Sequence, residues 1–209
     1  MNDEEKIRSF LAIDLPSEIK NGLGKIQDRL KTQISGIRWT NPQGIHLTLK
    51  FFGDLSKNEL SMVSESVSDA VVKVSPFSLS IEGLGVFPGV KRPRVVWIGM
   101  TGEQNMLSAL QQDIDMSLEK RGFQKEERGF KPHLTLGRFR SIGETRGLNK
   151  ILEKRDEFQA GDFIAEGITL FRSDLTPKGA VYSVLAFFPF KKKQDRTKTP
   201  REIKFIFGG

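Results

Sequence analysis

The chain repeats one short motif at a spacing that indicates an internal duplication. The tetrapeptide HLTL occurs at residues 46–49 and again at 133–136, and the two copies hold the only two histidines of the 209 residues. A β-rich segment begins at Ile7, 39 residues before the first histidine, and another begins at Val95, 38 residues before the second. The spacing predicts two related halves, each ordered strand, helix, histidine strand, helix, strand.

Each copy of the motif places a titratable group and a hydroxyl group on one face of a strand. Side chains alternate along a β-strand, so His46 and Thr48 share one face while the two leucines point to the other, and His133 and Thr135 repeat the arrangement. Imidazole titrates near neutral pH, so two facing copies can supply a proton donor and a proton acceptor. We therefore predict that a pseudo-twofold relation brings both faces to one cleft, with both histidines catalytic.

Other patterns predict the remaining elements. Ser17 is a candidate N-cap for a helix that runs to Ile34, Ser56 and Glu59 form a capping-box pattern at the start of a second helix, and a third helix ends near Gly122. A weaker helix is predicted around residues 148–152. Strands are predicted at residues 7–13, 45–52, 77–81, 95–100, 133–139, 163–171 and 180–188.

Charge and composition limit the classes of protein. The formal net charge is +7, but residues 191–209 hold seven basic and two acidic residues, a net of +5, which leaves only +2 for the rest. We therefore expect a single two-lobed domain over residues 1–190 and a basic tail over 191–209. The lack of cysteine excludes disulfides and thiolate metal sites, and the lack of a long apolar stretch and of a secretion signal predicts a cytoplasmic protein without membrane contact. We expect a monomer.

The two histidines also have less specific interpretations. A single histidine in a strand is more often a half-buried structural residue than a catalyst, but two in identical contexts favour chemistry. Neither histidine has a second histidine or a carboxylate two to four residues further on, so we predict no metal site.

Further residues near the motifs are candidate substrate contacts. Strict alternation would point Arg138 away from His133, whereas a β-bulge at Gly137 would turn it back toward a phosphate or a base. Lys50 shares the face of His46 by parity and is a similar candidate. The aromatic residues 51, 52 and 87 are expected in the core, although a ring at the mouth of the cleft could stack on a nucleobase.

The motifs and their flanking segments resemble a known family. The segments that carry the resemblance are RSFLAI at 8–13, GIHLTLKFFG at 44–53, PRVVW at 93–97, PHLTLGR at 132–138 and LTPKG at 175–179. Together they resemble the two-histidine phosphoesterase superfamily and, within it, the RNA 2′,3′-cyclic phosphodiesterases that are also described as 2′-5′ RNA ligases. The resemblance covers about residues 7–190, and the tail departs from it.

The resemblance implies an α+β, bilobal, pseudo-twofold fold whose antiparallel sheets line a central cleft, with helices outside. It also implies that His46 donates a proton and His133 accepts one, without a metal or a cofactor. We expect hydrolysis of 2′,3′-cyclic phosphate ends of RNA or nucleotides to 2′-phosphates, with Thr48, Thr135 and Arg138 binding the substrate, and with 2′-5′ ligation as the reverse reaction. The alternatives are a phosphodiesterase for a small cyclic-phosphate nucleotide or a 2′-5′ oligonucleotide, and a non-catalytic RNA-binding module.

Overall fold

Two antiparallel sheets and four helices form the described part of the chain. The computed structural model describes residues 5–126, 129–141, 147–177 and 179–191. The elements follow in the order β1 (Ile7–Ile13), α1 (Ser17–Lys31), β2 (Ile37–Trp39), β3 (Leu47–Leu55), α2 (Lys57–Val71), β4 (Phe77–Phe87), β5 (Val95–Gly102), α3 (Gln104–Glu119), β6 (Leu134–Phe139), α4 (Leu148–Glu153), β7 (Gln159–Ala165), β8 (Gly167–Thr176) and β9 (Gly179–Pro189). The tail beyond residue 191 lies outside the described residues.

The helix starts follow local capping chemistry, with one correction. At α2 the Ser56 hydroxyl accepts from the backbone N–H of Glu59 and the Glu59 carboxylate accepts from the backbone N–H of Ser56, so the predicted capping box is confirmed. At α1 the prediction of Ser17 as the N-cap is wrong. Pro16 is the N-cap and Ser17 is already helical, with no side-chain cap, because the fixed φ of proline sets the chain direction one residue earlier.

The two sheets exchange strands between the halves of the sequence. One sheet has the order β3-β1-β8-β9 and the other β2-β6-β5-β4-β7, and every pairing is antiparallel. Strand β4 belongs to the first half but pairs with β5, and β8 belongs to the second half but pairs with β1. The duplication predicted from the spacing is confirmed, but each half completes the sheet of the other.

The single strand predicted at residues 163–171 is two strands. β7 ends at Ala165 and β8 begins at Gly167, and the two join different sheets, β7 beside β4 and β8 beside β1. The backbone turns at Glu166, whose carbonyl accepts from the N–H of Phe190. The change of sheet falls at Glu166 and Gly167, the charged residue and the glycine within the predicted strand.

The helices cover one face of each sheet and leave the other face open. Helix α1 packs on β7, and α2 packs on α3 and β9, and one apolar cluster joins these helices to both sheets. The uncovered faces, here named the cleft faces, carry the two histidine motifs, and the predicted α+β fold with antiparallel sheets and outer helices is confirmed. Within the described residues, the structure contains no helix long and apolar enough to cross a membrane.

Candidate active site

The two histidine motifs have the same local geometry. The four leucines at 47, 49, 134 and 136 are at most 5% exposed, whereas both histidines and both threonines are partly exposed on the cleft face. The alternation predicted for the HLTL motif is therefore confirmed. Each histidine immediately precedes its strand, β3 or β6.

Backbone carbonyl groups fix the orientation of both imidazole rings. Nδ1 of His46 lies 2.9 Å from the carbonyl oxygen of Gly44, and Nδ1 of His133 lies 2.7 Å from that of Lys131. Because a carbonyl oxygen only accepts hydrogen bonds, Nδ1 carries the proton in both rings. In each histidine, Nε2 is therefore the nitrogen that can accept or donate a proton in the cleft.

Aromatic rings surround His46. The ring of Phe10 stacks on the imidazole at 4.5 Å, Tyr182 meets it edge-on at 5.1 Å, and Phe171 lies at 6.0 Å. Burial among these rings lowers the pKa of His46 below 6.5, opposed by the hydrogen bond to Gly44. His46 is therefore a stronger acid than a free imidazole.

A second aromatic group surrounds His133. Phe87 meets its ring edge-on at 5.0 Å, and Trp97 lies at 6.3 Å and stacks on Phe87. Trp97 precedes His133 by the same 36 residues that separate Phe10 from His46. The duplication therefore extends to an aromatic neighbour of each imidazole.

A β-bulge follows the threonine in each copy of the motif. In β3 the pairing with β1 steps from Thr48 to Lys50 and skips Leu49, and in β6 the pairing with β5 steps from Thr135 to Gly137 and skips Leu136. An extra residue in one strand reverses the facing of every later side chain. The predicted bulge near Gly137 is confirmed.

The bulge in β6 turns Arg138 onto the cleft face. Arg138 pairs with Val95, two residues before Trp97, and Trp97 pairs with Thr135, so Arg138 and Thr135 share a face. Gly137 is needed here because a Cβ atom would lie 2.6 Å from Cγ2 of Ile37 in the neighbouring strand. Arg138 therefore stands beside Thr135, as a substrate contact would require.

The same bulge in β3 removes Lys50 from the cleft face. Its ammonium group lies 2.7 Å from Oδ1 of Asp115 in α3 and donates to the carbonyl oxygen of Gln124 at 3.0 Å. The second Asp115 oxygen accepts from Gln111 at 2.7 Å. The interpretation of Lys50 as a phosphate contact is therefore wrong, because the parity on which it rests is broken at Leu49.

Gln27 ties β6 to the segment before His46 from the helix side of the sheet, and Arg138 acts electrostatically on the aromatic group of the other sheet. The buried side-chain amide of Gln27 in α1 donates to the carbonyl oxygens of Thr40, at 2.7 Å, and Leu136, at 2.8 Å. It therefore holds the bulge of β6 to the segment that leads into His46. The Arg138 guanidinium opposes the increase that burial causes in the pKa of Tyr182, the residue edge-on to His46. Arg138 is thus close to the aromatic group of the other sheet.

Sequence reasoning missed the aromatic neighbours of the histidines. Phe10, Phe171 and Tyr182 form a separate apolar cluster with Ala12 on the cleft face. Phe10 lies within the apolar β1 sequence, so its position on the open face has no distinct signal in the sequence. The described residues contain no group of three or more histidine, aspartate or glutamate side chains placed to hold a metal ion.

Comparison with known proteins identifies the class of this site. The pattern of the LigT-like phosphoesterases matches the chain twice, over residues 13–97 and 98–182. The chain belongs to this phosphoesterase family, and the two matches correspond to the two histidine motifs.

Similar proteins extend over nearly the whole chain. The RNA 2′,3′-cyclic phosphodiesterase of Methanothermobacter thermautotrophicus is 36% identical over 183 residues, which is 88% of this chain and 98% of the relative. The protein of the same name from Aquifex aeolicus is 33% identical over 87% of this chain and 96% of its own length. The structure of TT0787 of Thermus thermophilus superimposes with a TM-score of 0.72 at 26% identity, over 90% of this chain and all of that one. Escherichia coli LigT in complex with 3′-AMP, at 24% identity and a TM-score of 0.71 over 90% of this chain and all of that one, shares the fold.

Proposed function

We propose that this protein hydrolyses 2′,3′-cyclic phosphate ends of RNA to 2′-phosphates by acid–base catalysis between its two histidines, without a metal ion or a cofactor. The observation that carries the proposal is the duplicated geometry, in which each imidazole is tethered through Nδ1 and has a threonine hydroxyl on its face. The relatives named RNA 2′,3′-cyclic phosphodiesterase support it. We also propose that the protein is a monomer and that it acts in the cytoplasm.

The threonine and arginine side chains would bind the phosphate. The hydroxyl groups of Thr48 and Thr135 donate to the two non-bridging oxygens, one from each sheet. The Arg138 guanidinium adds a charged donor beside Thr135. Donors fixed by strands before the substrate arrives stabilise the extra charge on the phosphoryl oxygens in the transition state at little reorganisation cost.

The two imidazoles would move the protons. Nε2 of neutral His133 takes a proton from water as the water oxygen attacks phosphorus. The bond between phosphorus and the ribose 3′ oxygen breaks, and Nε2–H of protonated His46 gives its proton to that oxygen, which leaves the phosphate on the 2′ oxygen. The lowered pKa of His46 suits the donor, because a stronger acid transfers its proton to the leaving oxygen more readily. If a 5′-hydroxyl attacks phosphorus in place of water, the same bond to the ribose 3′ oxygen breaks, that oxygen takes the proton of His46, and the product is a 2′-5′ linkage.

The exposed ring of Phe51 is a candidate contact for the terminal base. It is 67% exposed and lies 5.7 Å from Phe10 on the cleft face, where the bulge in β3 has turned it. A flat exposed ring beside a phosphate site can stack on a nucleobase of any sequence.

A product assay tests the proposal. A 2′,3′-cyclic nucleotide is incubated with the protein in excess EDTA, and the position of the phosphate in the product is determined by NMR. We expect only the 2′-phosphate, a bell-shaped pH profile, and a loss of about a hundredfold or more in His46→Ala and in His133→Ala. A 3′-phosphate product, loss of activity in EDTA, or wild-type turnover by His133→Ala would refute the mechanism. Circular dichroism of both variants excludes misfolding as the cause of a loss.

A further inference from the structure

Three arginines form a row at the end of the cleft face of the β6 sheet. Arg38 of β2 pairs directly with Arg138 of β6, so the two side chains leave the sheet on the same face. Arg140 follows two residues after Arg138, and its backbone N–H still pairs across the strands, donating to the carbonyl oxygen of Gly36 at 2.8 Å. All three side chains are exposed. The row therefore continues from the proposed phosphate contact away from the histidines.

None of these three arginines forms an ion pair within the described part of the chain. Arg29 in α1 and Arg121 just after α3, by contrast, both meet carboxylates within 4 Å. Like charges placed directly opposite each other in a sheet repel and destabilise the pairing. A row of unpaired guanidinium groups on a substrate-facing surface is therefore explained by an anion that comes from outside the protein.

The position of the row indicates which anion it binds. The cyclic phosphate is held by Arg138 and the two threonines in the proposed function, and that single phosphate leaves Arg38 and Arg140 without a ligand. An RNA strand that ends in a cyclic phosphate carries one more charged phosphodiester on the 5′ side of its last nucleotide. Neighbouring strands lie about 4.8 Å apart, so Arg38 can reach a phosphate next to the one that Arg138 holds.

We propose that Arg38 and Arg140 form a second phosphate subsite, which binds the phosphodiester on the 5′ side of the terminal nucleotide. The inference rests on the proposed function and narrows its substrate class. The preferred substrate is an RNA strand of at least two nucleotides, and an isolated cyclic mononucleotide fills only half of the site. Arginine suits this role because each guanidinium group can donate two hydrogen bonds to one phosphate in a fixed plane.

The test compares three substrates that share the terminal cyclic phosphate, of which the two dinucleotides differ only in the charge of the second phosphate. They are adenosine 2′,3′-cyclic phosphate, the dinucleotide ApA with a terminal 2′,3′-cyclic phosphate, and the same dinucleotide with an uncharged methylphosphonate linkage. We expect kcat/KM for the natural dinucleotide to exceed that of the other two by about tenfold, as one charged hydrogen-bonded contact predicts. The advantage should shrink as salt rises from low to physiological concentration.

Variants then assign the effect to the arginines. Arg38→Gln and Arg140→Gln should each remove most of the advantage of the natural dinucleotide over the methylphosphonate, whereas Arg38→Lys should keep part of it. Lys120→Gln, which neutralises an exposed charge at the end of α3 on the outer surface, is the matched control and should keep the full advantage. Urea unfolding checks that all variants are folded.

The outcomes separate this inference from the proposed function. Equal kcat/KM on the natural and methylphosphonate dinucleotides, or an unchanged ratio in both glutamine variants, overturns the subsite and leaves hydrolysis in place. If no substrate is hydrolysed, the proposed function fails instead. Calorimetric binding of the 2′-phosphorylated dinucleotide then decides the subsite, which is refuted if Arg38→Gln binds it as tightly as the wild type.

Discussion

The buried ion pair between Lys50 and Asp115 gives a sharp test of the bulge in β3. The two side chains are only 5% and 8% exposed, and their charged atoms lie 2.7 Å apart. We replace them singly and together, as Lys50→Met, Asp115→Leu and the double variant. The substitutions exchange the charges for apolar side chains that can fill the space.

Each single variant should lose much more stability than the double variant. Asp115→Leu leaves a buried ammonium group with only the Gln124 carbonyl as an acceptor, and Lys50→Met leaves a buried carboxylate with only Gln111 as a donor. An unpaired buried charge of this kind costs about 3 to 5 kcal/mol, whereas apolar replacement of both partners is often close to neutral. The sum of the single losses should therefore exceed the loss in the double variant by about 3 kcal/mol or more.

Urea unfolding monitored by circular dichroism measures these free energies, with a constant denaturant slope as the check that the transitions are comparable. Lys31→Met is the matched control, because its pair with Asp28 is equally short at 2.8 Å but 46% and 74% exposed, and its loss should be below about 1 kcal/mol. The double variant should also keep its turnover of a cyclic nucleotide. Additive losses would refute the view of the pair as a desolvated unit. A stable double variant without activity would indicate that Lys50 contributes to substrate binding or catalysis, against its assignment to the buried face.

Four further results are expected. Gln27→Leu removes the side-chain donor to the carbonyl oxygens of Thr40 and Leu136, of which the second keeps the backbone N–H of Thr40, and should lower the free energy of unfolding by about 1 kcal/mol, measured in urea; a neutral variant contradicts the bridge. Gly85→Ala places a Cβ atom against the indole of Trp97 and should lower the free energy of unfolding by about 1 to 3 kcal/mol and lower kcat; unchanged stability and turnover would contradict this close packing. Ser56→Ala removes the capping box of α2 and should cost about 1 kcal/mol, with an unchanged melting temperature as the contrary result. Because His46 must be protonated and burial lowers its pKa, kcat/KM should fall as the pH rises through a pKa below 6.5, and a limb above that value would contradict the assignment.

The sequence predicts what depends on local pattern. Alternation in the HLTL motif places two imidazoles and two hydroxyls on open faces, and the capping box at Ser56 starts α2 where the pattern puts it. The nearly equal distances from the first strand to the histidine in each half, 39 and 38 residues, predict the duplication. The glycine at 137 allowed a bulge or strict alternation, and only the pairing of β6 with β5 decides for the bulge.

The rest depends on pairing between distant segments. Lys50 has the same parity as His46, and only the register with β1 shows that the strand skips Leu49 and turns the lysine toward Asp115. The break at Glu166 is likewise seen only in the pairing, because β7 joins β4 and β8 joins β1. The pairing of Arg38 with Arg138 also joins residues one hundred positions apart, which no periodicity within either segment reveals.

The crossing of β4 and β8 into opposite sheets has a consequence for how the enzyme can be divided. Severing the backbone just before β5, close to the boundary of the two family repeats, would leave β4 of the first fragment and β7 of the second without any neighbouring strand. Neither histidine can thus be positioned by its own repeat alone, since the sheet that holds it contains strands of the other repeat. A destabilising substitution in either repeat is therefore expected to disturb the positions of both histidines.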